Sequence, residues 1–429
     1  MSERIWYVSK YASVPTADDA WGRAFYLLRE MVKQGHSCVM FASASNHLVS
    51  APDFDGPYLD QMIDGLRVVR MRTLKYRSDQ SSGIRRILSW LDFEWRTWRY
   101  SGEIAPPPTV VIASSLSLLT ILTGLLLRRR YKCRLAFEVR DIWPLTLTEE
   151  AGYSVSNPLV RILAWIERLG YRKADYIVGT MPNLREHVVE VVGEELPVGC
   201  IPMGIEDDWR DRQKDVGTAY VAENIPRNKF VVGYAGTIGI TNALDTLIEC
   251  ARNMRERQDI HFLLVGNGYL KERYKTACAD LPNISFAPAV PKGMVQSVLS
   301  YCDVLYFATH QSKVWKFGQS LNKVMDYMLS GKPVIGSYTG FPSMLNEAGS
   351  GTYVPAGDAR ALRNEILRYA AMPAAERERV GEAGRAWILA KRPYAKLAED
   401  YMHLLKGMSN RQATDAKVEK ARSRAIDVA

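Results

Sequence analysis

Short apolar runs alternate with helix-like segments along this chain, and the alternation occurs twice. In the first half the strand-like runs include Ile5–Val8, Ser37–Ala42 and Tyr176–Gly179, and the segments between such runs carry apolar residues at helical spacing. The second half repeats the plan between Phe230 and Gly336. Strands that alternate with helices form parallel sheets with helices on both faces. We therefore predict an α/β protein of two doubly wound domains that face each other across a cleft.

The chain has 429 residues, which is too long for one ordinary hydrophobic core. Polar and charged residues dominate near 203–228, so we place the domains at 1–205 and 206–390. We expect a helix over 391–407 that packs back toward the first domain. The tail over 408–429 is polar and charged, and we expect it to be disordered.

The charge and the metal-ligating residue types limit the classes of partner. The net charge of +9 favours an anionic partner, which is nucleic acid, a phosphorylated small molecule or an anionic membrane face. The six cysteines form no CxxC pair, which is typical of reduced thiols in a cytosolic protein. The six histidines form no HxxxH or HExxH pair, so we predict no protein-bound metal and no cofactor.

Two glycine-containing loops follow predicted strands of the second half. They are Gly236-Thr237-Ile238-Gly239 and Gly266-Asn267-Gly268. Glycines let the backbone approach an anionic group closely, and a following helix offers free N–H groups, so either loop is a candidate diphosphate cradle. A tight strand-to-helix turn explains the same residues equally well. No Gly-Lys-Ser/Thr follows, which excludes a Walker A loop, and the first strand lacks the GxGxxG of dinucleotide oxidoreductases.

The segment 317–327 is a third candidate for anion binding. We predict that Ser320 caps a helix, on which Asn322, Lys323 and Asp326 share one face. A helix N-terminus with a lysine is a natural pyrophosphate site, and a carboxylate such as Asp326 is a common ligand of a ribose diol. A capped surface helix with a Lys–Asp pair is the alternative, and the local pattern alone favours it slightly.

The residues Ser320–Met328, followed by Ser330–Ile335, resemble the signature of family 4 retaining glycosyltransferases, which have the GT-B fold of two Rossmann-like domains. Phe137–Pro144, Ile201–Ile205 and Gly233–Gly239 extend the resemblance over nearly the whole chain. The branch it most resembles adds acetamido-deoxy sugars, such as N-acetylfucosamine, during O-antigen or capsule assembly. The resemblance implies transfer of a sugar from a UDP-sugar to a polyprenyl-diphosphate-linked or other saccharide acceptor.

The resemblance also implies which residues bind the donor in the C-terminal domain. Gly236, Thr237, Asn322 and Lys323 would lie by the phosphates, the loop with Asn267 and Val290 by the base, and Asp326 by the ribose. The full set of donor-binding candidates is Gly236, Thr237, Asn267, Val290, Lys316, Ser320, Asn322, Lys323 and Asp326.

This chain departs from the family pattern at three positions. Gly318 stands where the first of two glutamates is usual, Thr237 replaces an arginine, and Arg140 replaces a histidine. Positive charge for the leaving diphosphate must therefore come from other residues. The candidates are Lys316, Lys323 and Arg140.

The acceptor-side candidates lie in the first domain. Trp21, Gly22 and Arg23 occupy the place of the family's glycine-rich loop, where Arg23 would contact phosphate or sugar; a helix start with an exposed arginine explains them equally well. Asp141 lies at the end of a strand, where it would orient or deprotonate the acceptor hydroxyl. A structural salt bridge between Arg140 and Asp141 is the alternative. The predicted catalytic residues are thus Asp141, Arg140 and Lys323.

Basic and aromatic residues are interleaved between Arg67 and Tyr100, where nine basic residues meet three acids. This composition is typical of a helix that lies on an anionic membrane, and it also fits plain packing or, with least support, nucleic acid. The resemblance favours the membrane, since the implied acceptor is lipid-linked. We predict a cytoplasmic protein, peripheral on the inner face of the cytoplasmic membrane, with no nucleic-acid partner. The predicted docking residues are Arg85, Arg86, Trp90 and Trp95.

Two other functions fit the same fold. A non-hydrolysing UDP-sugar 2-epimerase shares GT-B, but the histidines at 36, 47, 187 and 310 lie in no epimerase-like pattern. A non-catalytic partner that binds a nucleotide sugar also fits, because the first glutamate and the loop arginine are missing.

Overall fold

The structure is a computed structural model that describes residues 2–15, 22–46, 49–50, 53–75 and 84–407. The described chain divides into two compact units. Unit 1 contains residues up to 202 and the final described helix, from 394 onward. Unit 2 contains residues 203–393. Trp21 and the tail 408–429, about which we made predictions, lie outside the described residues.

Unit 1 is built on an eight-stranded sheet with the order β10-β9-β8-β7-β1-β2-β6-β5, beside a short antiparallel β3–β4 pair. The large sheet is parallel except for the antiparallel pairing of β5 with β6 at one edge. Its strands are β1 (Arg4–Val8), β2 (Ser37–Ser43), β3 (Ser45–Asn46), β4 (Val49–Ser50), β5 (Tyr58–Ile63), β6 (Leu66–Met71), β7 (Val110–Ser115), β8 (Arg134–Val139), β9 (Tyr176–Gly179) and β10 (Val198–Cys200).

Helices cover both faces of this sheet, because successive side chains of a buried strand point to opposite sides and both sides here are apolar. The helices of unit 1 are α1 (Arg23–Lys33), α2 (Ile84–Tyr100), α3 (Thr120–Tyr131), α4 (Leu145–Glu149), α5 (Pro158–Lys173), α6 (Leu184–Val192) and the last described helix, 394–407. The last helix places Tyr394, Tyr401 and Leu405 in one buried cluster with Tyr26 of α1. The Tyr26 and Tyr394 rings stack with centroids 5.4 Å apart.

Unit 2 is built on a six-stranded sheet that is parallel throughout, with the order β13-β12-β11-β14-β15-β16. Its strands are β11 (Phe230–Ala235), β12 (Ile260–Val265), β13 (Ile284–Ala287), β14 (Val304–Ala308), β15 (Val334–Ser337) and β16 (Gly351–Val354). Its helices are α7 (Thr218–Asn224), α8 (Asp245–Asn253), α9 (Lys271–Ala277), α10 (Val295–Ser300), α11 (Asn322–Leu329), α12 (Met344–Ala348), α13 (Ala359–Ala371) and α14 (Ala374–Lys391).

The strand order of unit 2 reverses direction at β11, whose neighbours are β12 on one side and β14 on the other. Ligands of open parallel sheets bind outside the carboxyl ends of the strands at such a switch point. The loop at Gly236 follows β11 and the loop at Gly266 follows β12, so both lie at this edge. The predicted α/β architecture with two doubly wound sheets is therefore confirmed.

Candidate active site

Helix α11 begins at Asn322, in the segment where we predicted a helix, but its cap differs from the prediction. Leu321 occupies the N-cap position and makes no side-chain capping bond. The expected capping role of Ser320 is wrong, because its hydroxyl instead accepts a hydrogen bond from the Met203 N–H at 2.9 Å. Ser320 therefore fixes the start of unit 2 against the segment that leads into α11.

Tyr327 attaches α11 to the end of β11. Its hydroxyl accepts a hydrogen bond from the Ala235 N–H at 2.9 Å and donates one to the Ala235 carbonyl at 3.0 Å. The side chain is fully buried. The position of Gly236, the next residue, is thus coupled to the position of the helix N-terminus.

Lys323 projects from the first turn of α11 toward the first glycine loop. Its ammonium donates hydrogen bonds to the Asn242 Oδ1 and, at 3.3 Å, to the Tyr234 hydroxyl. The Nζ atom also lies 5.0 Å from the centroid of the Tyr234 ring. Burial lowers the pKa of Lys323 to about 8. The alternative of a Lys323–Asp326 surface pair is wrong, and sequence reasoning missed Tyr234 and Asn242 as its partners.

Gly236 faces this ammonium. A Cβ atom at Gly236 would lie 3.8 Å from the Lys323 Nζ and 3.2 Å from the Tyr234 hydroxyl. The φ of +154° at this residue is also one that side chains rarely adopt. The glycine therefore leaves the space beside the lysine open.

The two glycine loops pack directly on each other. A Cβ at Gly266 would lie 1.9 Å from the Gly236 carbonyl oxygen, so only glycine fits there. The Ile238 N–H donates to the Asn267 carbonyl at 2.9 Å across the same contact. Lys271 supports the second loop by donating to the Gly266 carbonyl at 2.8 Å. The close approach of the two backbones therefore explains why a glycine is required at position 266.

Asp326 forms an ion pair that the sequence analysis did not foresee. Both of its carboxylate oxygens lie 2.5 Å from the Lys292 Nζ. Glu206 lies near this pair: burial raises the pKa of its carboxyl, Lys292 opposes the shift, and Asp326 adds to it. Two carboxylates thus lie around one ammonium, and neither Lys292 nor Glu206 has a recognisable sequence signal.

The remaining donor-side candidates have mixed surroundings. The Thr237 carbonyl accepts a hydrogen bond from the Tyr234 hydroxyl at 2.6 Å. Val290 is half-buried against the unit 2 core, and Lys316 is exposed with its Nζ 5.7 Å from the Phe317 ring. Gly318 has a φ of +95°, a conformation that a glutamate rarely adopts. The absent carboxylate thus coincides with a backbone conformation that favours glycine at that position.

A cavity of about 380 Å³ lies in unit 2 beyond the carboxyl end of β14. Asp245, Thr309, His310 and Gln311 supply polar side chains to its lining. The Thr309 hydroxyl is buried and has no hydrogen-bond partner. Ala243, also in the lining, follows the Asn242 that contacts Lys323. The cavity therefore adjoins the lysine site and has a polar lining.

In unit 1, Arg23 is a buried structural residue. Its side chain is 1% exposed and its Nη1 lies 3.0 Å from a carboxylate oxygen of Glu138. A second guanidinium nitrogen donates to the Ile201 carbonyl at 2.7 Å. The predicted acceptor contact and the alternative of an exposed arginine are therefore both wrong.

Glu138 at the centre of this network is fully buried, and hydrogen bonds from Tyr7 at 2.6 Å and Ser114 at 2.9 Å complete its coordination. Burial by itself raises the pKa of this carboxyl, but Arg23 and Tyr7 outweigh it and the pKa lies below its ordinary value. Glu138 is therefore an ionised carboxylate that holds β1, α1, β7 and β8 together.

The structure places Asp141 and Arg140 just after β8. Asp141 is exposed, whereas Arg140 is half-buried with its backbone N–H donating to the Ser115 hydroxyl at 3.2 Å. Gly22 is buried, and a Cβ there would meet Pro15 at 2.5 Å. Gly22 therefore has a packing role, and Asp141 is the carboxylate that remains accessible at this edge of the unit 1 sheet.

Two of the four predicted membrane-docking residues are less exposed than membrane contact requires: Trp90 is buried and Arg86 is half-buried. Trp90 is 7% exposed and its Nε1 donates to the Tyr11 hydroxyl at 2.6 Å, so its ring cannot reach a membrane surface. The Arg86 guanidinium stacks 5.1 Å from that ring. Trp95 is 54% exposed and Arg85 is also exposed.

No helix of the described ranges is both long enough and apolar enough to span a membrane. Within the same ranges, no three His, Cys, Asp or Glu side chains converge as a metal site would require. The absence of a bound metal remains a prediction.

Two family models match the chain. The model described as glycosyl transferase 4-like domain matches residues 21–204, and the one described as glycosyl transferases group 1 matches residues 229–371. They correspond to the two sheets described above. No curated protein matches the sequence.

Solved structures with similar folds span almost the whole chain. Sucrose-phosphate synthase from Thermosynechococcus elongatus has a TM-score of 0.67 at 18% identity, covering 96% of this chain and 100% of its own. A UDP-forming trehalose-phosphate synthase from Burkholderia xenovorans has a TM-score of 0.70 at 12% identity, covering 95% and 100%. Anabaena HepE, in complex with UDP and glucose, has a TM-score of 0.62 at 11% identity, covering 94% and 99%.

These likenesses show the GT-B fold, and the two family matches show the class of enzyme. The chain is a glycosyltransferase of the family 4 type.

Proposed function

We propose that this enzyme is a retaining glycosyltransferase that moves an acetamido-deoxyhexose from a UDP-sugar to a polyprenyl-diphosphate-linked or other saccharide acceptor in surface polysaccharide synthesis. The observation that carries the proposal is the half-buried Lys323 in the first turn of α11, whose ammonium faces Gly236 of the first glycine loop. The sugar and acceptor classes come from the resemblance of the 320–335 segment to one branch of family 4.

The leaving group of such a transfer is UDP, whose diphosphate gains negative charge as its bond to the sugar breaks. Fixed cations and backbone N–H groups in a partly dehydrated site stabilise that charge without reorganisation. Lys323 and the N-terminus of α11 supply these groups, and Gly236 leaves room for the phosphates. The positive charge of Lys323 takes the place of the arginine that the family usually carries at Thr237. Stabilisation by these groups requires no protein-bound metal.

The ribose and the base would lie along the same edge of the sheet. Asp326 is the ribose ligand of our proposal, and the ion pair with Lys292 fixes the position of its carboxylate, whose oxygens can accept hydrogen bonds from a diol. Glu206 is a second candidate for the diol, because it is half-buried beside the same pair. Asn267 and Val290 are the candidate contacts of the base.

The transferred sugar would enter the polar cavity beyond β14. Asp245, His310 and Gln311 in its lining offer the mixture of donors and acceptors that a sugar requires. These residues would supply part of the sugar contact that a glutamate at Gly318 provides in relatives.

On the acceptor side, Asp141 is the residue proposed to orient the attacking hydroxyl, with Arg140 balancing its charge. A UDP-sugar is the proposed donor because two proteins of the same fold are described as UDP-forming or as a UDP complex. A lipid-linked acceptor would place the enzyme at the inner face of the cytoplasmic membrane.

The experiment is a donor-hydrolysis and transfer assay with a panel of UDP-sugars and a lipid-diphosphate-linked sugar. We expect UDP release that depends on the acceptor, unchanged by EDTA, with the anomeric configuration of the donor kept in the product. Lys323→Ala should lower turnover by at least about 100-fold, the size typical of losing one such transition-state contact. Lys332→Ala, at a lysine just beyond the other end of α11, is the matched control and should retain activity.

Other outcomes would each contradict the proposal. Isomerisation of the UDP-sugar without transfer would indicate the epimerase, and tight UDP-sugar binding without turnover would indicate a non-catalytic partner. Full activity of Lys323→Ala would show that the diphosphate binds elsewhere.

A further inference from the structure

Three helices of unit 1 lie side by side on one face of its sheet. The side chains of Ala113 on β7 and Leu135 on β8 point toward Gly124 of α3, and Phe137 of β8 points toward Gly170 of α5. Helix α2 joins the same layer, because its Glu94 accepts hydrogen bonds from two threonines of α3. Helix α1 packs on the opposite face, with Ile112 and Ala136. The outer surfaces of α2, α3 and α5 therefore form one continuous surface, which we call the outer helix face.

Large apolar side chains are exposed along the outer helix face. On α2 they recur at spacings of three and four residues, which places them in one stripe. On α5 Ile162 and Trp165 form a second stripe, with exposed fractions of 57% and 61%. The full set is Leu88, Leu91, Trp95, Trp98, Leu126, Ile162 and Trp165. Adjacent helices lie about 10 Å apart, so the stripes on α2 and α5 are separated by about 20 Å.

The charge of the outer helix face has one sign. The three helices contain eleven arginine and lysine residues but only three acidic residues. Each acidic side chain already has a hydrogen-bond or ion-pair partner within unit 1. Asp92 pairs with Arg96 at 2.8 Å, Glu94 binds Thr120 and Thr123, and Glu167 binds His187 at 2.7 Å.

Four arginines of these helices have no ion-pair partner within the part of the chain that the structure describes. These arginines are Arg85, Arg129, Arg161 and Arg168. The outer helix face therefore combines exposed Trp, Leu and Ile with unneutralised positive charge.

We propose that the outer helix face docks the enzyme on an anionic lipid bilayer, with Trp95 and Trp165 in the headgroup region and the arginines on the phosphates. Tryptophan and leucine with surrounding basic residues is the composition of an interfacial surface. Charge complementarity favours a bilayer over a second copy of this chain, because two copies would bring like-charged faces together. The inference rests on the proposed function only in that a lipid-linked acceptor would lie in the same membrane.

The apolar part of the inference is tested by sedimentation with vesicles of phosphatidylcholine containing 30% phosphatidylglycerol. Trp95→Ser combined with Trp165→Ser should weaken binding at least about tenfold, since interfacial binding scales with the apolar area buried. The matched control is Met62→Ser with Tyr301→Ser, which removes exposed apolar side chains elsewhere and should leave vesicle binding unchanged.

The electrostatic part is tested with the same vesicles at 50 mM and 500 mM salt. Arg161→Gln with Arg168→Gln should weaken binding about fivefold per arginine at low salt, which corresponds to about 1 kcal/mol each. High salt should erase most of that difference. Arg360→Gln with Arg363→Gln on α13 removes the same charge from unit 2 and should have no such effect.

Vesicle binding that is equal for the tryptophan variant and the parent would overturn the inference, provided that circular dichroism shows both to be folded. A parent that ignores vesicles but forms a dimer that the tryptophan variant loses would assign the face to a second copy instead. UDP affinity, measured without lipid, should be the same for all these variants. Loss of transferase activity with intact docking would count against the proposed function alone.

Discussion

Two cations of this protein, the buried Arg23 and the half-buried Lys323, have different surroundings. Arg23 is surrounded by a carboxylate and two backbone carbonyls, so its charge is fully compensated within unit 1. Lys323 donates hydrogen bonds to two neutral groups, the Asn242 amide oxygen and the Tyr234 hydroxyl, and burial lowers its pKa to about 8. A compensated cation stabilises the fold, whereas an uncompensated one is ready to receive an anion.

Arg23→Ala should lower the free energy of unfolding by about 3–5 kcal/mol, because it leaves the Glu138 carboxylate buried without its counter-ion. Urea denaturation measures the loss. Arg23→Met combined with Glu138→Gln removes both charges and should cost less than Arg23→Ala alone. An Arg23→Ala variant of wild-type stability that had lost acceptor affinity would instead restore the acceptor role.

The affinity for UDP should depend on pH through Lys323. In the proposed site the ammonium form binds the diphosphate, and the pKa of about 8 means that this form is lost as the pH rises through 8. Affinity should therefore be nearly constant below pH 7.5 and fall up to about tenfold per pH unit above pH 8. Titration calorimetry between pH 7 and 9.5 measures this, and Lys323→Ala should abolish the slope. A slope that persists in the variant would assign the titration to another group.

The contact between the two glycine loops makes the proposed donor site depend on both β11 and β12. Gly266→Ala places a methyl group 1.9 Å from the Gly236 carbonyl, so the loops must separate. We expect a loss of more than about 2 kcal/mol in stability and a weaker affinity for UDP. Gly193→Ala is the control, because Gly193 also has a positive φ (+81°) but has open space around it. It should cost about 1 kcal/mol and leave UDP binding intact. Equal effects of the two substitutions would contradict a role for the loop contact.

Periodicity predicted the parallel sheets and the position of α11, because burial on both faces of a strand leaves a strong local pattern. It missed the β5–β6 hairpin at one edge of the unit 1 sheet. A signal was present there: Asp64-Gly65 lies between the two strands, and both residues have positive φ, as a two-residue hairpin turn requires. That element was therefore predictable in principle.

The side-chain partners of the site were not predictable. Lys323 meets Asn242 and Tyr234 across 81 and 89 residues of sequence, and Arg23 meets Glu138 across 115. In helix α2, too, the sequence does not show which side chains are buried. Its tryptophans at 90 and 95 look alike in sequence, and only the packing of Trp90 on Tyr11 shows which of them is buried.

Unit 1 is discontinuous in sequence, because its last described helix follows the whole of unit 2. A protein that ends at residue 393 should therefore lose protection in unit 1, since it lacks Tyr394, Tyr401 and Leu405 from that core. Hydrogen exchange should rise in peptides from β1 and α1, while β12 in unit 2 keeps its protection. A protein that ends at residue 407 is the control and should match the full chain. Faster exchange confined to unit 2 would contradict the assignment of this helix.

The same discontinuity determines which unit can fold first during translation. During translation the first 202 residues leave the ribosome without the helix that completes their core, whereas all of unit 2 is available before that helix is made. Unit 2 can therefore reach its native state first, although it is encoded second. The nascent unit 1 must wait with the apolar surface around Tyr26 uncovered, which makes this surface the site where chaperone binding during synthesis is expected.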